Sequence, residues 1–202
     1  MSEFLCLDCL PGGYPLVMTA VYVILGVLAL LVVVGIVQYN KLVRLNVAVD
    51  EGFAQIEVQL QRRGDLIPNL VETVKGYAAH ERETFEKVVQ ARAQATAAQG
   101  VAAVAEADGM LTQALRGLLA VAEDYPDLKA SENFLSLQEE LSGTENKVGF
   151  ARQYYNDTVR ALNESIVSIP GKFFAPVAKV DERDFYVVDD PGKREVPNVS
   201  FK

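Results

Sequence analysis

The one histidine of the chain sits in Ala79-His80-Glu81-Arg82-Glu83, a run that begins like a two-histidine zinc helix and then departs from it. Such a helix needs a second imidazole four residues on, so that two ring nitrogens meet one ion from one face. Position 84 is Thr84. A di-iron bundle needs Glu-x-x-His pairs on facing helices. Glu145 is followed three residues later by Val148, and Glu81 has His80 beside it rather than three positions away. Cys6 and Cys9 form a lone CxxC without two further zinc ligands and without the βαβ surroundings of a redox pair. No GxxxxGK[ST] or GxGxxG loop is present to cradle a phosphate. Ser142, in Leu141-Ser142-Gly143-Thr144, has no histidine relay that could make it a nucleophile. The residues assign no catalytic, cofactor-binding or metal role, and no cofactor is expected.

What remains are polar side chains at positions where helical spacing calls for apolar ones: Asn46, Arg63, Glu81, Thr144, Asn146, Arg152 and Asn156. A bundle interior tolerates such groups only when they are paired, because an unpaired polar group loses its hydration for nothing. The spacing predicts an interhelix polar layer drawn from Asn46, Arg63, Glu81, Asn146, Arg152 and Asn156. Glu81 and Arg152 are its expected ion pair, between the second and fourth helices. Its expected role is to fix the register of the helices, as polar residues do in coiled coils. The competing reading is a ligand-binding or signalling bundle that uses the same layer.

The elements that would position these residues are all helical. Leu42, Asn46, Val49, Phe53, Ile56 and Leu60 follow a 4-3-4-3-4 spacing, one stripe of a helix packed against others. Gly64-Asp65 is expected to end that rod near Arg63, with Asp65 as N-cap and Pro68 in the first turn of a second helix. The second helix carries Ile67, Val71, Val74, Ala78, Phe85 and Val88 and stops at Gly100. A third carries Val104, Leu111, Leu115, Leu118 and Ala122 and ends before Tyr125-Pro126. A fourth runs from Ser131 to Ile169, before Pro170-Gly171. Phe53, Phe85 and Phe134 are expected in the core. The fold class is all-α: an N-terminal transmembrane helix continuing into an antiparallel bundle of long helices, with an extended C-terminal tail. The divisions are 1–16 as a short exterior tail, 17–37 as the transmembrane helix, 38–171 as the bundle and 172–202 as the tail.

The membrane assignment rests on Val17 to Val37, 21 residues dominated by Val, Leu and Ile, within an uncharged stretch from Pro11 to Gln38. About 20 apolar residues in a helix cross the ~30 Å hydrocarbon layer. A buried soluble helix seldom runs this long without a polar residue. A cleaved signal peptide would carry a basic start and a shorter apolar run, whereas this chain begins with Glu3 and Asp8. All 19 basic residues follow the span, with Lys41 and Arg44 close to its end. The positive-inside rule then places the N-terminus outside and the bundle in the cytoplasm of a single-pass protein of the cell membrane. The chain has 27 acidic residues and a net charge of −8. That balance argues against a nucleic-acid partner, which clustered cations would bind by displacing counterions. The expected partners are the lipid bilayer, through Val17–Val37, and an unidentified protein, with self-association included.

Certain runs resemble a known family. Gln38-Tyr39-Asn40 and Val43-Arg44 follow the span directly. Val58-Gln59-Leu60-Gln61-Arg62-Arg63, Asp65-Leu66-Ile67-Pro68-Asn69-Leu70-Val71 and Val74-Lys75-Gly76-Tyr77-Ala78-Ala79-His80-Glu81 come next. Then come Glu123-Asp124-Tyr125-Pro126-Asp127-Leu128-Lys129-Ala130, Glu145-Asn146, Arg152, Tyr155-Asn156, Asn163 and Arg194-Glu195-Val196-Pro197-Asn198-Val199-Ser200-Phe201. Together these resemble the LemA family of bacterial membrane proteins, over roughly 17–202. The resemblance implies a short exterior N-terminus, one span and a cytoplasmic bundle of long helices, with no enzyme activity. It points to a membrane-anchored scaffold or adaptor that serves protein–protein interaction or membrane organisation. The Cys6/Cys9 pair is not part of the family pattern.

Overall fold

The computed structural model describes residues 14–188, with side chains from Met18 onward. Cys6, Cys9 and the C-terminal run from Arg194 lie outside the described residues. Six helices follow in order: α1 (Tyr14–Lys75), α2 (Arg82–Ala97), α3 (Val101–Glu123), α4 (Pro126–Lys129), α5 (Glu132–Val167) and α6 (Gly171–Ala178). No strand occurs among the described residues.

α1 is a single helix of 62 residues, about 93 Å at 1.5 Å per residue. The expected break at Gly64-Asp65 does not occur, and Asp65 caps nothing. The reason is visible in the spacing. Leu42, Val49, Ile56, Arg63 and Leu70 recur every seven residues, as do Asn46, Phe53, Leu60, Ile67 and Val74. The packing seam thus continues through residue 64 without a shift in phase, and tertiary packing overrides a local break signal. Pro68 lies inside the helix and cannot donate to the carbonyl four residues earlier, which is that of Gly64. Arg92 Nε on α2 donates to that carbonyl at 2.8 Å instead. The chain turns only at residues 76–81, where His80 is exposed and Glu81 stands just ahead of α2.

The bundle has two cores. One gathers Ile67, Leu70, Val74, Phe85, Val88, Leu111, Leu115, Leu118, Phe134 and Leu141. The other gathers Leu42, Val49, Ile56, Val104, Tyr155, Val159, Leu162 and Tyr186. Phe85 and Phe134 are buried as expected, at 6% and 3% exposure. Phe53 is only half-buried, tilted against the Tyr155 ring with centroids 5.9 Å apart. α1 and α5 run in opposite directions, with Gly52 beside Tyr155 and Arg63 beside Glu145. At Gly52 a Cβ would stand 3.3 Å from the Tyr155 Cα, so the closest passage of the two helices uses a residue without a side chain.

Beyond α5 the chain is not wholly extended. Residues 171–178 form α6, which packs on α1, and among the described residues Val180–Val188 follows as extended chain. Gly171 permits the tight turn into α6, since a Cβ there would collide with the Ser165 carbonyl. Among the described residues, α1 holds the one segment long and apolar enough to cross a membrane, and none of its most apolar window is buried.

Candidate functional site

Between the two cores lies a layer of buried charge centred on Asp108 of α3, which is 1% exposed. Asp108 fills a gap in the α3 stripe: Val104, Asp108, Leu111, Leu115, Leu118 and Ala122 keep the 4-3 spacing without interruption. Arg63 of α1, 3% exposed, donates from Nη1 to Asp108 Oδ1 at 3.1 Å and to Thr112 Oγ1 at 3.1 Å. Arg152 of α5 pairs through Nη2 with Asp108 Oδ2. The Tyr186 hydroxyl donates to the same Oδ2 at 2.7 Å. The Arg152 guanidinium also lies over the Tyr186 ring, 5.5 Å from its centroid, a cation–π contact. Arg63 Nη1 stands 2.8 Å from Glu145 Oε2. That oxygen is not aligned for a hydrogen bond, so the contact is coulombic. Two guanidinium groups thus face two carboxylates, and Glu145 is partly exposed at the edge of the layer.

The electrostatics follow from this geometry. Burial lowers the Arg63 pKa from its usual value, opposed by Glu145 and Asp108. Burial is also the largest cause of the raised Tyr186 pKa, followed by the Asp108 charge and the hydrogen bond that only the neutral phenol can donate. Both oxygens of Asp108 accept from neighbours, Oδ1 once and Oδ2 twice, which ties it to α1, α5 and the C-terminal segment. Asp108 also lines a cleft of about 400 Å³ between α1, α2 and α3, with Gly64, Asp65, Arg92 and Thr96 among its other walls.

A second polar set fixes the extended segment to α5. Asn156 donates from Nδ2 to the Tyr186 carbonyl at 3.0 Å and accepts from the Tyr186 N–H at 2.8 Å. Asn163 does the same for Arg183, at 2.9 Å in each direction. Seven helical residues rise about 10.5 Å, and three extended residues span about 10 Å, so the two asparagines match the spacing of the segment they hold. Tyr155 donates from its hydroxyl to the Asp184 carbonyl at 2.9 Å. Arg183 donates to Asn46 Oδ1 at 3.1 Å and Asp50 Oδ1 at 2.8 Å on α1.

Of the six residues expected in one layer, Arg63 and Arg152 meet at Asp108. Asn156 belongs to the adjoining segment clamp, and Asn46 is tied to it through Arg183. Asn146 is exposed. Glu81 is not Arg152's partner: it precedes α2 at the far turn, and Arg152 is bound to Asp108 instead. That correction follows from α1, which runs on to Lys75 and thereby carries Glu81 to the end of the bundle. Thr144 is buried but bonds back to the Leu141 carbonyl of its own helix at 2.8 Å. Asp108 is the residue that sequence reasoning omits, although its place in the 4-3 stripe marks it. Tyr186 and Arg183 sit in a segment with no periodicity to mark them. Among the described residues, no cluster of three or more His, Cys, Asp or Glu is gathered for a metal.

Comparison with known proteins fits this arrangement. The LemA family profile matches residues 52–201, a range that holds every member of the Asp108 layer. Magnetosome protein MamQ 2 of Paramagnetospirillum magneticum is 23% identical over 177 residues, covering 75% of this chain and 65% of its own length. Magnetosome protein MamQ of Magnetospirillum gryphiswaldense is 22% identical, with the same coverage of each chain. Protein LemA of Metamycoplasma hominis is 26% identical over 129 residues, covering 63% of this chain and 58% of its own. The chain thus spans about 65% of the length of the MamQ proteins it matches. A profile match over most of the chain, with named relatives on both sides, means that the chain belongs to the LemA family.

Proposed function

We propose that the chain is a single-pass membrane protein whose helical bundle acts as a scaffold rather than as an enzyme. The observation that carries this reading is the pairing of Asp108. A general base or nucleophile must be available to a substrate, whereas Asp108 already accepts three hydrogen bonds, from Arg63, Arg152 and Tyr186. Buried polar contacts of this kind fix one packing of the helices and leave the bundle surface for partners. The unburied apolar half of α1 supports a span through the bilayer. Lys41 and Arg44 after it, with no Lys or Arg before it, support an exterior N-terminus and a cytoplasmic bundle. The magnetosome proteins among its relatives support a role in organising a membrane.

Three measurements test the reading. Alkaline carbonate washing leaves an integral protein in the membrane pellet; release of the full-length chain contradicts the anchor. With Cys6 and Cys9 replaced, Glu139→Cys on the exposed face of α5 is expected to escape a membrane-impermeant thiol reagent in intact cells. Labelling there reverses the orientation. Cross-linking in intact membranes, read by mass spectrometry, is expected to give discrete adducts on the bundle, and their absence contradicts the scaffold.

A further inference from the structure

α6 packs on α1 with Ala175 buried in the core of Leu42 and Val49, while Phe174 and Val177 reach past that core along α1. A Cβ on Gly35 would stand 3.1 Å from the Phe174 ring, and Gly35 belongs to the uncharged apolar run. Phe174 and Val177 share an apolar groove with Leu28, Leu31, Val32 and Ile36 of α1. Leu28 precedes the end of that run at Val37 by about 14 Å of helix. Phe174 and Val177 of α6 therefore lie alongside roughly the last half of a ~30 Å hydrocarbon layer, the thickness of one leaflet.

α6 leaves apolar side chains open beside that groove. Phe173 and Val177, four residues apart on one side of the helix, are 70% and 67% exposed, and Ile169, in the turn before α6, is 79% exposed. From Ile169 to Val180 there is no acidic residue, in a chain with 27 of them, and Lys172 and Lys179 are both exposed. Exposed aromatic and aliphatic side chains, flanked by lysines with long stems, are the composition of a helix lying at a membrane interface. The lysine stems reach back to the headgroups while the apolar stripe faces acyl chains.

We infer that Ile169–Val180 is a second membrane contact, with α6 embedded in the leaflet beside the last turns of the span. Its partner is phospholipid: acyl chains against Ile169, Phe173 and Val177, and headgroup phosphates at Lys172 and Lys179. The inference rests on the reading of α1 as a membrane span and deepens it. The chain would then hold the bilayer at two points, and the bundle would meet the surface at a fixed angle rather than swivel on one helix.

The chain contains no tryptophan, so one introduced residue reports its own surroundings. The full chain carrying Phe173→Trp is reconstituted into phosphatidylcholine–phosphatidylglycerol vesicles whose acyl chains carry bromine. Leu25→Trp serves as the reference within the span, and Phe150→Trp, an exposed position on α5, as the reference in water. Val177→Trp repeats the measurement on the same face. The expected result is quenching of Trp at 173 and 177 by brominated lipid to an extent close to that at 25, with little quenching by iodide. Iodide quenching equal to that at 150 overturns the inference, since α6 then lies in water. Protection from both quenchers also overturns it, since protein, such as a second copy, then covers the face. If Trp at 25 is quenched and Trp at 173 is not, the span stands and only the α6 contact falls. If Trp at 25 also escapes brominated lipid, the span reading itself has failed.

Discussion

The Arg92 side chain donates from Nε to the Gly64 carbonyl at 2.8 Å, the one carbonyl of α1 that Pro68 leaves without a helical partner. The contact explains how a 62-residue helix passes a proline without ending. It also joins α2 to the C-terminal part of α1, at the wall of the cleft that Asp108 lines.

Removing the donor is expected to expose that dependence. Arg92→Ala should lower stability by about 1–2 kcal/mol, the cost of leaving a part-buried carbonyl without its hydrogen bond. Pro68→Ala restores the main-chain N–H that can serve the same carbonyl, so Arg92→Ala should then cost much less. A double-mutant cycle by denaturant unfolding of the detergent-solubilised chain checks this. Additive effects of the two substitutions contradict it.

At the ion layer, Asp108→Leu should cost about 3–5 kcal/mol, because Arg63 and Arg152 are then left buried with too little negative charge. Replacing the three together, as Arg63→Met, Asp108→Leu and Arg152→Met, should recover part of that loss, since apolar residues of similar volume need no compensation and only the partly exposed Glu145 and the Tyr186 hydroxyl lose a partner. Unfolding midpoints of the single and triple variants decide the matter. A triple variant as unstable as the single one contradicts a purely packing role for the layer.

The raised Tyr186 pKa gives a dependence on alkaline pH. Its ordinary value is 10.0. Below that, folded and unfolded states both hold the proton, and the full contribution is present. Above it the unfolded chain releases the proton while the folded chain keeps it, so stability falls with rising pH until the native phenol ionises. Tyr186→Phe should remove this component and flatten the alkaline slope. Phenolate absorbance should show Tyr186 titrating after the exposed tyrosines, along with Tyr155, whose pKa burial also raises. An unchanged titration curve in the variant contradicts the assignment.

Asn156→Ala and Asn163→Ala should each release one end of the Val180–Val188 segment. Hydrogen exchange at the Tyr186 amide is expected to accelerate in the first variant and at the Arg183 amide in the second. Unchanged protection at both amides would show that other contacts hold the segment.

Much of this architecture is legible in the residues. The long apolar run, the heptad stripe of α1, the stripe of α5 with Phe134 and Tyr155, and the polar intrusions Arg63 and Arg152 can all be read from spacing. The end of the first helix cannot be read from Gly64-Asp65 alone, because those residues are compatible with a cap and with a continuous helix. The phase of the heptads, kept through Ile67, Leu70 and Val74, decides it. The partner of Arg152 depends on which helices meet, so Glu81 and Asp108 are alternatives that spacing does not separate until the first helix is drawn to its full length. Arg183 and Tyr186 lie on an extended segment, where neither the 3.6 nor the 2.0 period marks a buried residue. Their placement, with Tyr186 buried and Arg183 exposed, depends on Asn156 and Asn163, which lie on another element. α6 is short and contains Pro176, so propensity alone does not announce it.

In the scaffold role proposed above, the buried charge fixes the packing of the helices and the bundle surface meets partners. The most direct test compares cross-linked species in intact membranes for the natural chain and for the Arg63→Met, Asp108→Leu, Arg152→Met variant. The expected result is the same set of adducts from both, provided the variant is folded and resists carbonate extraction. A folded, membrane-inserted variant that loses those adducts contradicts the account and makes the Asp108 layer a functional site in its own right.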